Sequence, residues 1–363
     1  MGKRSNKLDK PPLPENQQIT VDVYFGVFFD GTSNNKDQAS IGETYREYSL
    51  QLNKKELKEK AKEIGYTGNR MQKKDKSNVA LLFPYIDEVS KEYICKPIYI
   101  EGIGTGDDGD SSIRGELIGT GDLGVEAKVE KAIKRLPQRI KKSLAKCSGA
   151  NLNLFFEIFG FSRGSAAARN FVWKVQKGEN ALKEKLKKNN FNLMPPIKFN
   201  YVGLFDTVSQ YGILGASDEK LNLDAIKHPN VNKVFHICAG NEFRFIMPLT
   251  NIISATNAGH GEEIFIPGNH SDIGGGHAGG KYSFISMGLM HKNANSERNK
   301  MFISLKTEHS IPDELKNVYA DINSKSALSV SLETCQILFS DHYDDIKKWS
   351  NCEKSGTRTI HNG

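Results

Sequence analysis

No apolar run in this 363-residue chain approaches the ~18 to 20 residues that a membrane-spanning helix needs, so no such helix is expected. Cysteine is scarce. The five cysteines stand at 95, 147, 238, 335 and 352, with no C-x-x-C spacing. An odd, scattered set argues against both a disulfide framework and a zinc knuckle. Reduced, mostly buried thiols in a chain made in a reducing cytoplasm are the expectation. The opening stretch MGKRSNKLDKPPLPENQQ has basic residues but no apolar centre, which excludes a secretory signal peptide. Residues 1–19 read as a disordered basic leader, 20–350 as one domain with loop or lid insertions, and 351–363 as a C-terminal tail. There is no internal repeat. Zinc-finger, RNP and helix-turn-helix signatures are all missing, so the net charge of +7 does not imply a nucleic-acid partner.

Charge is present in lysine-rich runs: NKKELKEKAKE (53–63), QKKDK (72–76), KRLPQRIKK (134–142) and KEKLKKNN (183–190). Such runs read first as solvated helix faces. A functional reading is attraction to an anionic phospholipid surface. Hydrophobic residues make up 38% of the chain, enough for a sizeable core.

Strand-like runs rich in β-branched and aromatic residues recur: VDVYFGVFF (21–29), ICKPIYI (94–100), NLNLFFEIF (151–159), IKFNYVGLF (197–205), VNKVFHICAG (231–240) and EEIFIPGNH (262–270). Between them lie stretches of helical periodicity: 77–93, 125–144 with Pro137 marking a kink or break, and 165–176. Strands alternating with helices imply an α/β fold, with a mainly parallel sheet covered by helices on both faces. The segment 208–230, between two strands, reads as a lid over a site. From Ser283 onward the pattern is helical.

The most informative stretch is FFEIFGFSRGSAAARNF (155–171). A G-x-S-x-G that follows a strand and opens a helix is the nucleophile elbow of α/β-hydrolases. The turn is so tight that Gly160 and Gly164 must lack side chains, and Ser165, Ala166 and Ala167 let the helix approach the sheet. Ser162 is the expected nucleophile. The N–H of Arg163 is an expected oxyanion donor, because a helix N-terminus favours developing negative charge. A base and an orienting acid should follow in the order Ser, acid, His.

Asp206 directly follows a strand and is the favoured acid. His270 ends an apolar strand before a glycine run and is the favoured base. Asp272 competes as the acid, or else caps a local turn. His277 and His361 are rival bases. His228 sits in a polar loop, and His236 reads as a satisfied core histidine. His270, Asp272 and His277 are close enough in sequence to suggest zinc, but a Gly-rich loop is a poor scaffold, so no metal is assigned. The second oxyanion donor is expected in FFDGTSNN (28–35), from Gly31 or Thr32, with Asp30 bonding its own turn. GIGTGDDG (102–109) is a weak phosphate-loop candidate, since no helix opens directly after it. This chemistry needs no cofactor.

With those residues in hand, the chain resembles the type VI secretion lipase effectors. The stretches that carry the resemblance are FFDGTSNN (28–35), GFSRGSAAARNF (160–171), VGLFDTVSQYG (202–212) and PGNHSDIGGG (267–276), with YIEGIGTG (99–106) as a softer fifth. The resemblance places the family's triad on Ser162, Asp206 and His270. It implies phospholipase A activity (A1 or A2) on membrane glycerophospholipids, use as an antibacterial toxin, loading onto a VgrG-type secretion spike, delivery into the target-cell periplasm, and a cognate immunity protein. His277 stands where the family usually has an aromatic residue. Many relatives carry a further C-terminal region for membrane anchoring, whereas the sequence here runs to residue 363. The other readings are a cytoplasmic carboxylesterase or thioesterase acting on soluble acyl substrates, and a non-catalytic binding module on a hydrolase fold.

Overall fold

The computed structural model describes residues 19–83, 96–106, 120–209, 219–244, 246–278, 282–294 and 360–361. Six strands form one sheet in the order β2-β1-β3-β4-β5-β7, with every neighbouring pair parallel. They are β1 (Thr20–Phe29), β2 (Ile98–Ile100), β3 (Asn151–Phe161), β4 (Asn192–Phe205), β5 (Val234–Ala239) and β7 (Gly261–Ile266). A two-residue strand β6 (Leu249–Thr250) pairs in parallel with β8 (Ile360–His361).

The side-chain alternation of the strands divides the core into two layers. On one face Val23, Phe25, Val27 and Phe29 pack with Val129, Leu136 and Ile140 of α4 (Val125–Ser143) and with Ala167, Phe171 and Val172 of α5 (Arg163–Lys177). On the other face Phe28, Phe159, Tyr201 and Phe205 pack with α3 (Asn78–Leu82) and with Met287 and Met290 of α9 (Ser283–Ala294). A parallel sheet buried on both sides needs near-continuous apolar strands, and the aromatic runs supply them. Each such side chain contributes ~1.5–3 kcal/mol on burial. Two polar helices, α1 (Lys36–Ser49) and α2 (Lys54–Glu63), follow β1, each capped by an asparagine, Asn35 and Asn53. The helix α6 (Glu179–Lys187) follows α5. No helix among the described residues is long and apolar enough to cross a membrane.

The structure departs from the sequence reading at four places. Pro137 does not break its helix: α4 runs through it, because Leu136, Pro137 and Ile140 are all buried against the sheet. The strand expected over 231–240 narrows to β5, with Val231 making only an isolated bridge to Phe199. The strand expected to reach residue 270 stops at Ile266. Pro267 cannot donate to the ladder, Gly268 takes φ 129°, and Asn269 then caps a one-turn helix, α8 (His270–Gly274), which follows α7 (Ile253–Asn257). Finally, the described part of the expected lid forms two short 3₁₀ turns, Glu219–Leu221 and Leu223–Lys227. These are packed under α5: Arg169 Nε donates to the Leu223 carbonyl at 2.9 Å and Asn170 Nδ2 to the Leu221 carbonyl at 2.8 Å. Residues 210–218 of that segment, 84–93 of the helix expected over 77–93, 94 and 95 of the strand expected over 94–100, and 107–109 of the phosphate-loop candidate at 102–109 lie outside the described residues.

Candidate active site

Ser162 stands at the junction of β3 and α5 with φ 58° and ψ −128°, a region that L-residues rarely occupy. Its N–H donates to the Phe205 carbonyl at 3.0 Å, which ties the turn to the end of β4. The flanking glycines are required by contact. A Cβ on Gly160 would sit 2.5 Å from the Ser165 Cα, and one on Gly164 would sit 2.3 Å from the Phe29 carbonyl oxygen. Strand, helix and the end of β1 therefore meet at van der Waals distance around this one serine, which is itself only 5% exposed.

Asp206 is the next residue after β4, fully buried and at φ 41°. Its Oδ1 accepts the N–H of Ala239 at 2.9 Å, and its Oδ2 lies 2.5 Å from His270 Nδ1. A carboxylate on Nδ1 keeps the proton on that nitrogen and leaves Nε2 as the basic end of the ring. His270 opens α8, and its ring packs against Phe161, the neighbour of Ser162, with the ring centroids 4.7 Å apart and the planes tilted by 34°. Gly31 and Gly274 also lie against Phe161, so close that a Cβ on either would overlap its ring, at 2.4 Å and 1.9 Å. The turn after β1, the serine elbow and the histidine loop thus converge on one phenylalanine.

Two residues that the sequence reading did not single out complete the histidine's surroundings. Glu242 Oε2 accepts the backbone N–H of His270 at 3.1 Å, and Arg244 pairs with Glu242 through Nε at 2.7 Å and through its second guanidinium nitrogen at 2.5 Å. Burial pushes the Glu242 carboxyl up, but the bonds from Arg244 outweigh it and hold the group below the ordinary glutamate range. For His270, burial pushes the imidazole below its ordinary value, against the upward pull of Asp206. The ring is therefore neutral near pH 7 and able to take a proton. Glu242 was legible in principle, since it follows the carboxyl end of β5 much as Asp206 follows β4.

The competitors fall elsewhere. Asp272 Oδ2 accepts the Asn269 N–H at 2.8 Å in a capping box at the start of α8, the local role weighed against catalysis. His277 is exposed, with Nδ1 3.2 Å from the Ala278 carbonyl. The set His270, Asp272 and His277 is not gathered as metal ligands. The group among the described residues with ligand atoms close together is His236, Cys238 and Glu263. There His236 Nε2 already accepts the Thr207 N–H at 3.0 Å and Nδ1 faces Glu263 at 2.8 Å. His236 is thus the satisfied core histidine expected, and it holds the residue next to Asp206.

At the turn after β1 the expected choice between Gly31 and Thr32 is narrowed. The Gly31 N–H donates to Asp30 Oδ1 at 2.7 Å, so Gly31 is not a free oxyanion donor. Thr32 accepts Arg163 Nε on its Oγ1 at 2.8 Å. Lys74 Nζ reaches Asn34 Oδ1 at 3.2 Å beside the same turn. Arg163 itself begins α5, at the end of the helix that favours negative charge.

The family described as T6SS, Phospholipase effector Tle1-like, catalytic domain matches residues 173–293, a span that contains Asp206 and His270. Among solved structures, the Tle1 effector bound to the VgrG spike from the Type 6 secretion system is similar over 93% of this chain and 87% of that chain, at 21% identity and a TM-score of 0.61. An uncharacterized protein from Pseudomonas aeruginosa is similar over 93% of this chain and 51% of that one, at 17% identity and a TM-score of 0.46. No curated protein matches the chain. The resemblance read from the short stretches is thereby met by a family match, and the α/β fold by a solved structure.

Proposed function

We propose, on the premise that this chain is a relative of the Tle1-like type VI secretion phospholipase effectors, that it is a phospholipase A that cleaves acyl esters of membrane glycerophospholipids. The observation that carries this reading is the 2.5 Å contact between Asp206 and His270, made beside a strained serine elbow. Ser162 attacks the acyl carbonyl while His270 Nε2 takes its proton. Asp206 orients the ring and stabilises its charged form. The N–H groups of Arg163 and of the turn after β1 receive the oxyanion, each worth ~3 to 4 kcal/mol in other hydrolases. His270 then returns its proton to the departing lysophospholipid and activates water to release the fatty acid. The Arg163 guanidinium and nearby lysines pair with the lipid phosphate.

The partners follow from the same premise: a phospholipid surface, a VgrG-type spike of the kind bound by the Tle1 effector, and a cognate immunity protein. Delivery by type VI machinery to a target-cell periplasm, and an antibacterial role, complete the proposal. The test is fatty-acid release from phospholipid vesicles by the wild type and by Ser162→Ala, read by mass spectrometry. Release that disappears with the serine supports the reading, and undiminished release rejects it. The same triad would serve a carboxylesterase or thioesterase. A preference for monomeric short-chain esters over aggregated lipid would favour that alternative.

A further inference from the structure

Asp30 is a buried carboxylate with no part in the mechanism above. It stands at the end of the β1 run, 1% exposed. Its Oδ1 accepts the Gly31 N–H at 2.7 Å and the Ser77 hydroxyl at 2.5 Å, and its Oδ2 accepts the Tyr99 hydroxyl. Each partner is itself anchored. Ser77 Oγ accepts the Ala80 N–H at 3.1 Å as the cap of α3, and the Tyr99 hydroxyl accepts the Lys36 N–H at 2.9 Å at the start of α1. One carboxylate thus joins β1, β2, α1 and α3 under a single turn. Taking a carboxylate out of water costs several kcal/mol unless it is fully bonded. A core that needed only packing would use an apolar residue here.

The turn above Asp30 faces the serine elbow. A Cβ on Gly164 would sit 2.4 Å from the Asp30 carbonyl oxygen, and Arg163 Nε donates to Thr32 Oγ1 at 2.8 Å. The backbone at residues 31–35 is further pinned: Ser33 N–H donates to the Ile103 carbonyl at 3.1 Å and Asn34 N–H to the Gly31 carbonyl at 3.0 Å. The N–H groups of Gly31, Ser33 and Asn34 are all engaged within the fold. That of Thr32 makes no hydrogen bond among the described residues.

We infer that Asp30 is a positioning residue for the oxyanion site: by engaging the N–H of Gly31 it holds the turn so that the N–H of Thr32, together with that of Arg163, receives the negative oxygen. The inference rests on the ester-hydrolysis reading and adds to it the choice of donor and the residue that enforces it. Asp30 touches no substrate and acts only through the turn.

The test uses the full chain with a monomeric p-nitrophenyl acyl ester. It reads kcat and KM separately, together with the affinity for an alkylboronic acid, which forms a tetrahedral adduct on the serine. Asp30→Ala is expected to lower kcat by about 100-fold, the scale of losing one oxyanion donor, with KM nearly unchanged and boronate affinity falling in parallel. Asp30→Asn, whose amide oxygen still accepts the Gly31 N–H, is expected to recover most of that loss. Tyr99→Phe and Ser77→Ala each remove one restraint on the carboxylate and should each lower kcat several-fold; they decide the matter if Asp30→Ala does not fold. Wild-type kcat and boronate affinity in these variants would overturn the inference. So would a fall in kcat that leaves boronate affinity intact. Ser162→Ala is run alongside: full activity there would overturn the hydrolase reading itself, a result distinct from any behaviour of Asp30.

Discussion

At the scale of single residues, the proposed site depends on which nitrogen of His270 carries the proton. Asp206 lies on Nδ1, so Asp206→Asn should preserve the fold while presenting the wrong tautomer. A kcat loss of about 10⁴-fold is expected from the corresponding change in a serine protease, with little change in thermal midpoint. The pH profile follows from burial. His270 must be neutral to act as base, and its folded value lies below the ordinary one. Activity is therefore present above that lowered value and is lost as pH falls through it. The acid limb of kcat/KM, which reports the free enzyme, should sit below pH ~6.5, the ordinary histidine value. An acid limb well above that value would contradict the burial argument.

At the scale of elements, the β3–α5 junction and the loop after β2 hold the site from opposite sides. Gly164 abuts the carbonyls of Phe29 and Asp30. Gly164→Val must push helix from strand and should destabilise by ~1–3 kcal/mol, the usual cost of overpacking, read as a shift of the urea midpoint with loss of activity. The loop after β2 begins at Glu101, whose buried carboxylate is 2.5 Å from both Lys128 and Lys131. Lys128 is 2% exposed and also donates to the Thr105 carbonyl. Among the described residues, Lys128→Ala leaves Glu101 with the half-buried Lys131 as its partner. A loss approaching ~3 kcal/mol is expected, since breaking a buried pair costs more than the pair contributes. Unchanged stability would mean that Lys131 alone satisfies the carboxylate.

At the scale of the whole molecule, the lysine-rich runs and the net charge of +7 bear on the proposed lipid partner. α2 places Lys54, Lys55, Lys58 and Lys62 on an element with no buried residue. Attraction of such a surface to anionic lipid is long-range and screened by salt. Co-sedimentation with phosphatidylglycerol vesicles should fall steeply as ionic strength rises, while hydrolysis of a monomeric ester should not. Salt-independent vesicle binding would point instead to an apolar contact.

Much of this was written locally in the chain. The elbow was legible because Gly160, Ser162 and Gly164 are contiguous and their steric need is local; the aromatic strands were legible because burial on both faces demands apolar residues at every step. Asp206 stood out for a similar reason, following directly on such a strand. Less legible were the end of β7, where Asn269 starts a helix instead of extending the strand, and the two 3₁₀ turns within the expected lid, Glu219–Leu221 and Leu223–Lys227, which pack against α5. Glu242 is hard to single out because the His270 N–H that it accepts lies 28 residues away in sequence, and Arg244 reaches the site only through its pairing with Glu242.

By itself, then, the sequence determined the alternation of strand and helix and the identity of the strained serine, since backbone sterics and side-chain period act over a few neighbouring residues. Only the tertiary structure decided between Asp206 and Asp272 as the partner of His270, and between Gly31 and Thr32 as the residue whose N–H makes no hydrogen bond among the described residues. Those choices turn on hydrogen bonds whose direction is set when distant strand ends are brought to one edge of the sheet, and no local pattern encodes which donor meets which acceptor there.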